Sequence, residues 1–408
     1  MSNYKLSFRK SPSEIEINLN SSKSESNRLL IIESLSNNQI ELENLSQAND
    51  TVLLKNLIKS NSQNIWDAED AGTTMRFLTS FLAFRKQGVL LTGTERMKKR
   101  PIKILVDALN NIGAEISYME KDGYPPIKIK RKISQIKESV SIRGDISSQY
   151  ISSLLMIAPV LSNGLKIEVV PPFYSKPYVM MTLNLMKKFG IKYHLSDNII
   201  SINNQKYKSG SYKVESDWSA ASYWYSFMSI NKKLKVIKLI GLREHSFQGD
   251  QVIKKIMTLF NVETIYDSDG IILRKKDFDC DYLELDFKDC PDLAQTVLVV
   301  AAYHKVKLKL YGVESLKIKE TDRLEAMSNE LKKIGVNFYD DDGVWTLDKR
   351  NTEFSSEASI ETYEDHRMAM AFAPLSSEIN ITINNPDVVN KSYPTFWEDM
   401  RKAGYDII

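Results

Sequence analysis

Amphipathic helical stretches that end at glycine alternate along this chain with short apolar runs of strand character. Leu109-Asn110-Asn111-Ile112-Gly113-Ala114-Glu115-Ile116 closes a helical pattern, places Gly at the helix C-terminus and enters a strand. Leu185 to Ile191, through Gly190, and Leu331 to Val336, through Gly335, do the same, and Met400 to Tyr405, through Gly404, is a further copy. Met257 to Val262 is a variant in which Asn261 fills the left-handed cap position that Asn can also occupy. Subtracting positions 113, 190, 261, 335 and 404 gives steps of 77, 71, 74 and 69 residues. Near-constant spacing of this kind predicts a duplicated unit of about 70 residues. A helix over 51–58, capped near Asn61, lies 52 residues upstream of Gly113 and predicts a shortened first unit. Six units divide into two domains of three. Strand-like runs at Leu165–Val170, Leu234–Leu239, Val306–Tyr311 and Ile379–Ile383 complete an α/β architecture. With no low-complexity linker in the chain, short hinges are expected between the domains.

A length of 408 residues suits two cores, and 42% hydrophobic with 26% charged residues excludes a disordered chain. The net charge is only +3, from 55 basic and 52 acidic residues, which argues against a general nucleic-acid binder. Any strong anion site must therefore be local, made by gathering Lys and Arg. Two cysteines, Cys280 and Cys290, form no disulfide framework, and the four histidines show no metal-ligand spacing. The N-terminus lacks an apolar signal core and runs such as Val297–Tyr303 are too short to span a bilayer, so a cytoplasmic protein is expected.

The chemistry-bearing residues concentrate at helix starts. Ser22-Lys23-Ser24 with Asn27-Arg28 leads into an apolar helix, a pattern that suits a phosphate cradle as well as ordinary Ser capping. Asp70-Ala71-Gly72-Thr73-Thr74-Met75-Arg76-Phe77 opens another helix, with Gly72 allowing close approach of a ligand to the backbone. Arg96, Lys98 and Lys99 read as a solvated basic loop, whereas Arg100 is oriented by Pro101 and the helix that follows. Asp145-Ile146-Ser147-Ser148-Gln149 offers hydroxyls and an amide at a third start, and Ser175-Lys176-Pro177-Tyr178 forms a fourth, with Pro177 at a first-turn position. Asp292 stands in the first turn of the apolar helix that runs to Ala302, where the helix dipole favours an acid. Two mixed-charge blocks follow, Lys319-Glu320-Thr321-Asp322-Arg323 and Glu364-Asp365-His366-Arg367, and Lys391 precedes the last helix. Either block alone reads equally well as a surface salt-bridge pattern. Together, helix starts that bear Ser, Lys, Arg or acids predict a heavily anionic ligand set.

In this order these motifs resemble the EPSP synthase family, the 3-phosphoshikimate 1-carboxyvinyltransferases, from about Glu16 to the C-terminus. The resemblance implies two similar domains, each of three βαβαββ units, covering 20–214 and 1–19 with 215–408, joined by two hinge crossings and closing on substrate. It implies transfer of the enolpyruvyl group of phosphoenolpyruvate to the 5-hydroxyl of shikimate 3-phosphate with release of phosphate. The implied catalytic residues are Lys23, Asp292 and Glu320. Lys23, Ser24, Arg28, Ser147, Ser148, Gln149, Ser175, Asp292 and Lys319 would bind shikimate 3-phosphate. Lys23, Gly72, Arg100, Gln149, Arg323, Arg367 and Lys391 would surround phosphoenolpyruvate. Asp292 would take the hydroxyl proton. Glu320 would protonate the methylene and later remove its proton, which requires that it carry a proton in the complex. His366 would orient its neighbours. No cofactor, metal, nucleic acid or membrane partner is implied, and the chain is expected to act as a monomer.

The chain departs from the family pattern at several points. Asn20-Ser21 replaces a Pro-Gly pair, Asp70 stands where Asn is frequent, Phe77 replaces a residue near the site, and the first repeat lacks strands expected to lie away from the cleft. Asp70 would bring negative charge near an anion site, which argues against a direct phosphate contact by its side chain. The sister transferase that uses UDP-N-acetylglucosamine is the nearest alternative. It typically carries a loop cysteine, and Thr92–Pro101 contains none. A non-catalytic binder of phosphorylated ligands or RNA on the same fold would not need Lys23, Asp292 and Glu320 together.

Overall fold

The computed structural model describes residues 2–9, 13–60, 63–348 and 354–408. The chain divides into two compact units, a continuous one over Ser22–Val214 and a split one that combines the residues up to Ser21 with Glu215–Ile408.

The helices are α1 Lys23–Leu35, α2 Asn49–Lys59, α3 Gly72–Arg85, α4 Lys103–Asn111, α5 Ser148–Ile157 and α6 Lys176–Lys188 in the continuous unit. In the split unit they are α7 Trp218–Ile230, α8 Ile253–Thr258, α9 Ala294–Tyr303, α10 Arg323–Lys333, α11 His366–Phe372 and α12 Phe396–Lys402. One sheet pattern recurs. Two strands pair in parallel through a crossover helix, and two antiparallel strands extend the sheet. In the continuous unit Ile65–Asp67 pairs in parallel with Val89–Thr92, which continues antiparallel through Ile127–Arg131 to Glu115–Tyr118. Ser139–Arg143 and Leu165–Val170 begin a second copy. Tyr282–Asp286 with Lys307–Tyr311 and Glu357–Ile360 with Asn380–Asn384 begin copies in the split unit. The latter sheet takes in the N-terminal strand Asn3–Phe8, flanked by the C-terminal strand Tyr405–Ile407.

The strands on either side of the unit boundaries exchange partners. Glu14–Asn18 precedes α1 in sequence yet pairs in parallel with Val236–Ile240, beyond α7. Gly210–Lys213 precedes α7 yet pairs in parallel with Ile40–Glu43, beyond α1. That last sheet has only the parallel pair, and this is the shortened repeat: α2 is followed directly by the next unit, without the two antiparallel strands.

The repeat boundaries are written in backbone conformation. Gly113, Gly190, Asn261, Gly335 and Gly404 have φ of 111°, 83°, 64°, 79° and 93°. A carbonyl clash strains a side chain in this region, so Gly or Asn stands at these five helix ends. Asn61, the expected cap of the first repeat, lies outside the described residues.

Within each repeat the two helices differ. The first is buried almost all round: in α7 every residue except Ser219 is buried, and in α11 all seven are. The second is amphipathic. In α4, Leu105, Val106, Ala108 and Leu109 face inward at helical spacing while Asp107 is exposed. Helices α1, α3 and α5 pack together in one unit, as do α7, α9 and α11 in the other. Full burial of side chains such as Phe227 and Ile230 is worth about 1.5–3 kcal/mol each against exposure. Among the described residues no helix is long and apolar enough to cross a membrane.

Candidate functional site

The helix starts singled out in the sequence gather at one place in each unit. In the continuous unit Arg28, in the second turn of α1, is buried and bonded across three helices. Its Nε donates to Thr182 Oγ1 of α6 at 2.7 Å, Nη2 to Ser152 Oγ of α5 at 3.4 Å and to the Tyr178 carbonyl at 3.3 Å, and Nη1 to the Ser24 carbonyl at 2.8 Å. The guanidinium lies 5.4 Å from the Phe77 ring of α3. Burial pulls its pKa down to about 10, against the opposing pull of Tyr178 and Glu25, and it stays charged at neutral pH.

Lys23 Nζ sits 3.1 Å from the buried carboxylate of Asp50, in the first turn of α2. Asp50 carries no signal in the sequence. Gln149 Nε2 of α5 donates to Thr73 Oγ1 of α3 at 3.0 Å, so those two helix starts adjoin. Helix α5 begins at Ser148, with Ser147 as the cap accepting from the Gln149 N–H, and Asp145 is held outside it by Arg143 at 2.6 Å. Ser175 precedes α6 with φ of 54°.

The start of α3 has no side-chain cap, and two arginine heads lie beside it. Arg76 bonds the Gly72 and Pro101 carbonyls at 3.1 and 3.2 Å. A Cβ on Gly72 would lie 2.6 Å from Arg100 Nη1 and 2.9 Å from Arg76 Nη1. The glycine therefore admits both guanidiniums to the helix start. Gly72→Ala should lower stability by about 1–3 kcal/mol, because the added Cβ crowds the buried, hydrogen-bonded Arg76 head as well as Arg100 and this outweighs the helix preference of Ala. It should also push the flexible Arg100 head aside and raise the Michaelis constant for an anionic substrate about tenfold or more. A melting curve and a substrate titration check the two halves.

In the split unit the starts of α9, α10 and α11 meet around Arg323, which is 1% exposed. Its Nε lies 2.7 Å from Asp365 Oδ2, Nη1 2.9 Å from Asp292 Oδ1 and Nη2 2.8 Å from Glu320 Oε2. Asp292 also accepts from Arg367 Nη2 at 2.8 Å, and Lys319 Nζ lies 3.6 Å from it. Three carboxylates (Asp292, Glu320, Asp365) thus face three cations (Lys319, Arg323, Arg367). Asp365 caps α11 by accepting from the Arg367 N–H at 2.9 Å, and Asp322 caps α10. Asp292 lies in a short 3-10 turn, Pro291–Leu293, ahead of α9, not in the first α-helical turn that the pattern predicts. Ion pairs, not the dipole alone, hold it. Burial pushes its carboxyl up, but Arg367, Lys319 and Arg323 outweigh that and keep it well below the ordinary carboxylate range. The Tyr223 hydroxyl, 3.4 Å from Arg367 Nη1, is pushed up to about 12, chiefly by burial, and stays neutral. Lys391 is buried at the end of the turn Pro386–Lys391.

Sequence reasoning named these cations except Arg143, but not the partners Asp50 and Tyr223, nor a role for Arg76. Among the described residues no group of His, Cys, Asp and Glu is arranged to hold a metal ion, and Cys280 and Cys290 are free thiols.

Residues 54–400 match the family model of EPSP synthase (3-phosphoshikimate 1-carboxyvinyltransferase). The chain is 45% identical over 402 residues to a 3-phosphoshikimate 1-carboxyvinyltransferase of Bacteroides fragilis (strain YCH46), covering 97% of each chain. The chain belongs to the EPSP synthase family. A family member from Buchnera aphidicola subsp. Baizongia pistaciae is 36% identical over 416 residues, covering 94% of this chain and 95% of its own. The solved EPSP synthase of Acinetobacter baumannii superposes with a TM-score of 0.77 at 20% identity, over 100% of this chain and 99% of that one, and so shares the fold.

Proposed function

We propose that the chain transfers the enolpyruvyl group of phosphoenolpyruvate to the 5-hydroxyl of shikimate 3-phosphate by addition and elimination, releasing phosphate. This is the transferase step of the shikimate pathway towards aromatic amino acids. The observation that carries the reading is Asp292 held between Arg323 and Arg367: a carboxylate base among the cations an anionic substrate needs. Asp292 takes the hydroxyl proton as the oxygen attacks C2 of phosphoenolpyruvate. Glu320, a carboxyl at hydrogen-bond distance from Arg323, delivers a proton to the methylene. In the elimination Glu320 takes a proton back from the new methyl group, and the phosphate leaves with a proton supplied through Lys23.

In this reading Lys23, Ser24, Arg28, Ser147, Ser148, Gln149, Ser175, Asp292 and Lys319 hold shikimate 3-phosphate. Lys23, Gly72, Arg100, Gln149, Arg323, Arg367 and Lys391 hold phosphoenolpyruvate. Both substrates carry a phosphate and a carboxylate, which fits the Lys and Arg supplied at helix starts by each unit. The reading carries with it a cytoplasmic monomer.

Phosphate release from phosphoenolpyruvate is expected to depend on shikimate 3-phosphate. Dependence on UDP-N-acetylglucosamine, or no turnover, would sink the proposal. Glu320→Gln should bind both substrates within a few-fold of the parent while turnover falls about a hundredfold to ten-thousandfold, the usual range for losing a general acid. Unchanged turnover would remove Glu320 from the mechanism.

A further inference from the structure

The chain enters α11 through the turn Thr362 to Asp365, closed by the Asp365 N–H donating to the Thr362 carbonyl at 2.8 Å. Its two central residues, Tyr363 and Glu364, have φ of 51° and 56°. Two consecutive positive φ values make a mirror-image turn, the kind that Gly, Asn and Asp favour. Tyr and Glu are strained there and persist only where the surroundings fix them.

Glu330 is the fixing group. It lies on α10, seven residues beyond Arg323, and its carboxylate is fully buried. Oε1 accepts from the Tyr363 hydroxyl at 2.8 Å, and Oε2 accepts from the Glu361 N–H at 3.0 Å and from Lys333 Nζ at 2.7 Å. Lys333 in turn donates to the Ser359 carbonyl at 3.0 Å, and the Thr362 hydroxyl donates to the Asn384 carbonyl at 2.9 Å. The helix that opens with Arg323 is thereby tied to the turn that delivers Asp365 and Arg367. Asp365, the last residue of the turn, both bonds Arg323 and caps the helix carrying Arg367. A small displacement of this one carboxylate would move both arginines.

We infer that Glu330 and Tyr363 are a positioning pair for the phosphoenolpyruvate-binding arginines, acting through the strained turn Thr362 to Asp365. Neither residue touches substrate in this scheme, and the inference rests on the proposed use of Arg323 and Arg367. Tyr363→Phe deletes one hydroxyl at the surface of the turn. It should raise the Michaelis constant for phosphoenolpyruvate about tenfold, with kcat within about threefold and the constant for shikimate 3-phosphate within about twofold. Glu330→Gln keeps one acceptor oxygen but sets an amide NH2 against the Glu361 N–H and Lys333 Nζ, so it should show the same split between substrates, at least as strongly. Adding Glu364→Asn to Tyr363→Phe relaxes the positive φ and should restore much of the lost affinity.

A purely structural role would lower the melting temperature without this split between substrates. An unchanged constant for phosphoenolpyruvate in Tyr363→Phe, a parallel rise for both substrates, or no recovery in the double variant would overturn the inference. The rise in melting temperature caused by phosphoenolpyruvate reads the same affinity without turnover. A parent that binds phosphoenolpyruvate but does not turn over refutes the functional reading alone, and the Tyr363→Phe comparison is then made on binding. A parent that shows no response to phosphoenolpyruvate overturns both.

Discussion

Arg323→Met is expected to lower the stability of the folded protein by about 3–5 kcal/mol and to abolish turnover. The guanidinium is 1% exposed and its donors reach Asp365, Asp292 and Glu320 at 2.7–2.9 Å. Burial by itself would lower its pKa, but Asp365, Glu320 and Asp292 outweigh that and raise it. A methionine fills much of the volume and supplies no charge. Asp365, which has no exposed side-chain surface, would then be a buried carboxylate without its forked partner. Arg323→Lys keeps the charge but not the fork, so it should recover only part of the loss.

The sign with pH follows from Asp292. Its folded pKa is depressed below the ordinary 3.8, so its contribution is fully present above that value and lost as the pH falls through the lower folded value. The deficit of Arg323→Met should accordingly be largest near neutrality and shrink in acid, where protonation relieves the crowded carboxylates. Denaturant midpoints at several pH values measure this. A variant within about 1 kcal/mol of the parent at pH 7 would contradict the network's role.

The repeat was legible because it is written in residues with few conformational options. Gly113, Gly190, Asn261, Gly335 and Gly404 all take positive φ, which only Gly and, less easily, Asn adopt without much strain, so their spacing exposes the unit length. The exchange of Glu14–Asn18 and Gly210–Lys213 between sheets was not legible by that route. Parallel partners 170 residues apart (Ile40 with Gly210) and 222 residues apart (Glu14 with Val236) leave no local periodicity to read. The same division holds at the candidate site. Lys23, Arg100, Arg323 and Arg367 announce themselves by charge beside helix starts. Asp50 looks like any acid in a first helical turn, and Glu330 like any acid on an amphipathic helix. Tyr363 and Glu364 give no warning of their positive φ, because neither is a residue type that favours it. What a side chain offers can be read from the sequence; which buried partner it meets depends on the fold.

Asp292→Asn is expected to move binding and turnover in opposite directions. Asp292 occupies Arg323 and Arg367 at 2.9 and 2.8 Å, with Lys319 at 3.6 Å, so three cations are matched by three carboxylates. An incoming phosphate or carboxylate must compete with Asp292 for the same guanidiniums. As the anion draws them away, the field that depresses the Asp292 carboxyl weakens, and the group becomes a stronger base when substrate is present. Asparagine has nearly the same shape and no charge, which leaves the cluster one positive charge in excess. Phosphoenolpyruvate, or inorganic phosphate as a simpler probe, should bind the ligand-free variant several-fold to about tenfold more tightly, and the gain should fade with added salt. Turnover should fall about a hundredfold to ten-thousandfold because the hydroxyl proton has lost its acceptor. Calorimetric titration and the rate of phosphate release measure the two effects. A residue that merely held the fold together would weaken both. Weaker anion binding in Asp292→Asn would show that the carboxylate does not compete for the arginines, and turnover within threefold of the parent would remove it as the base.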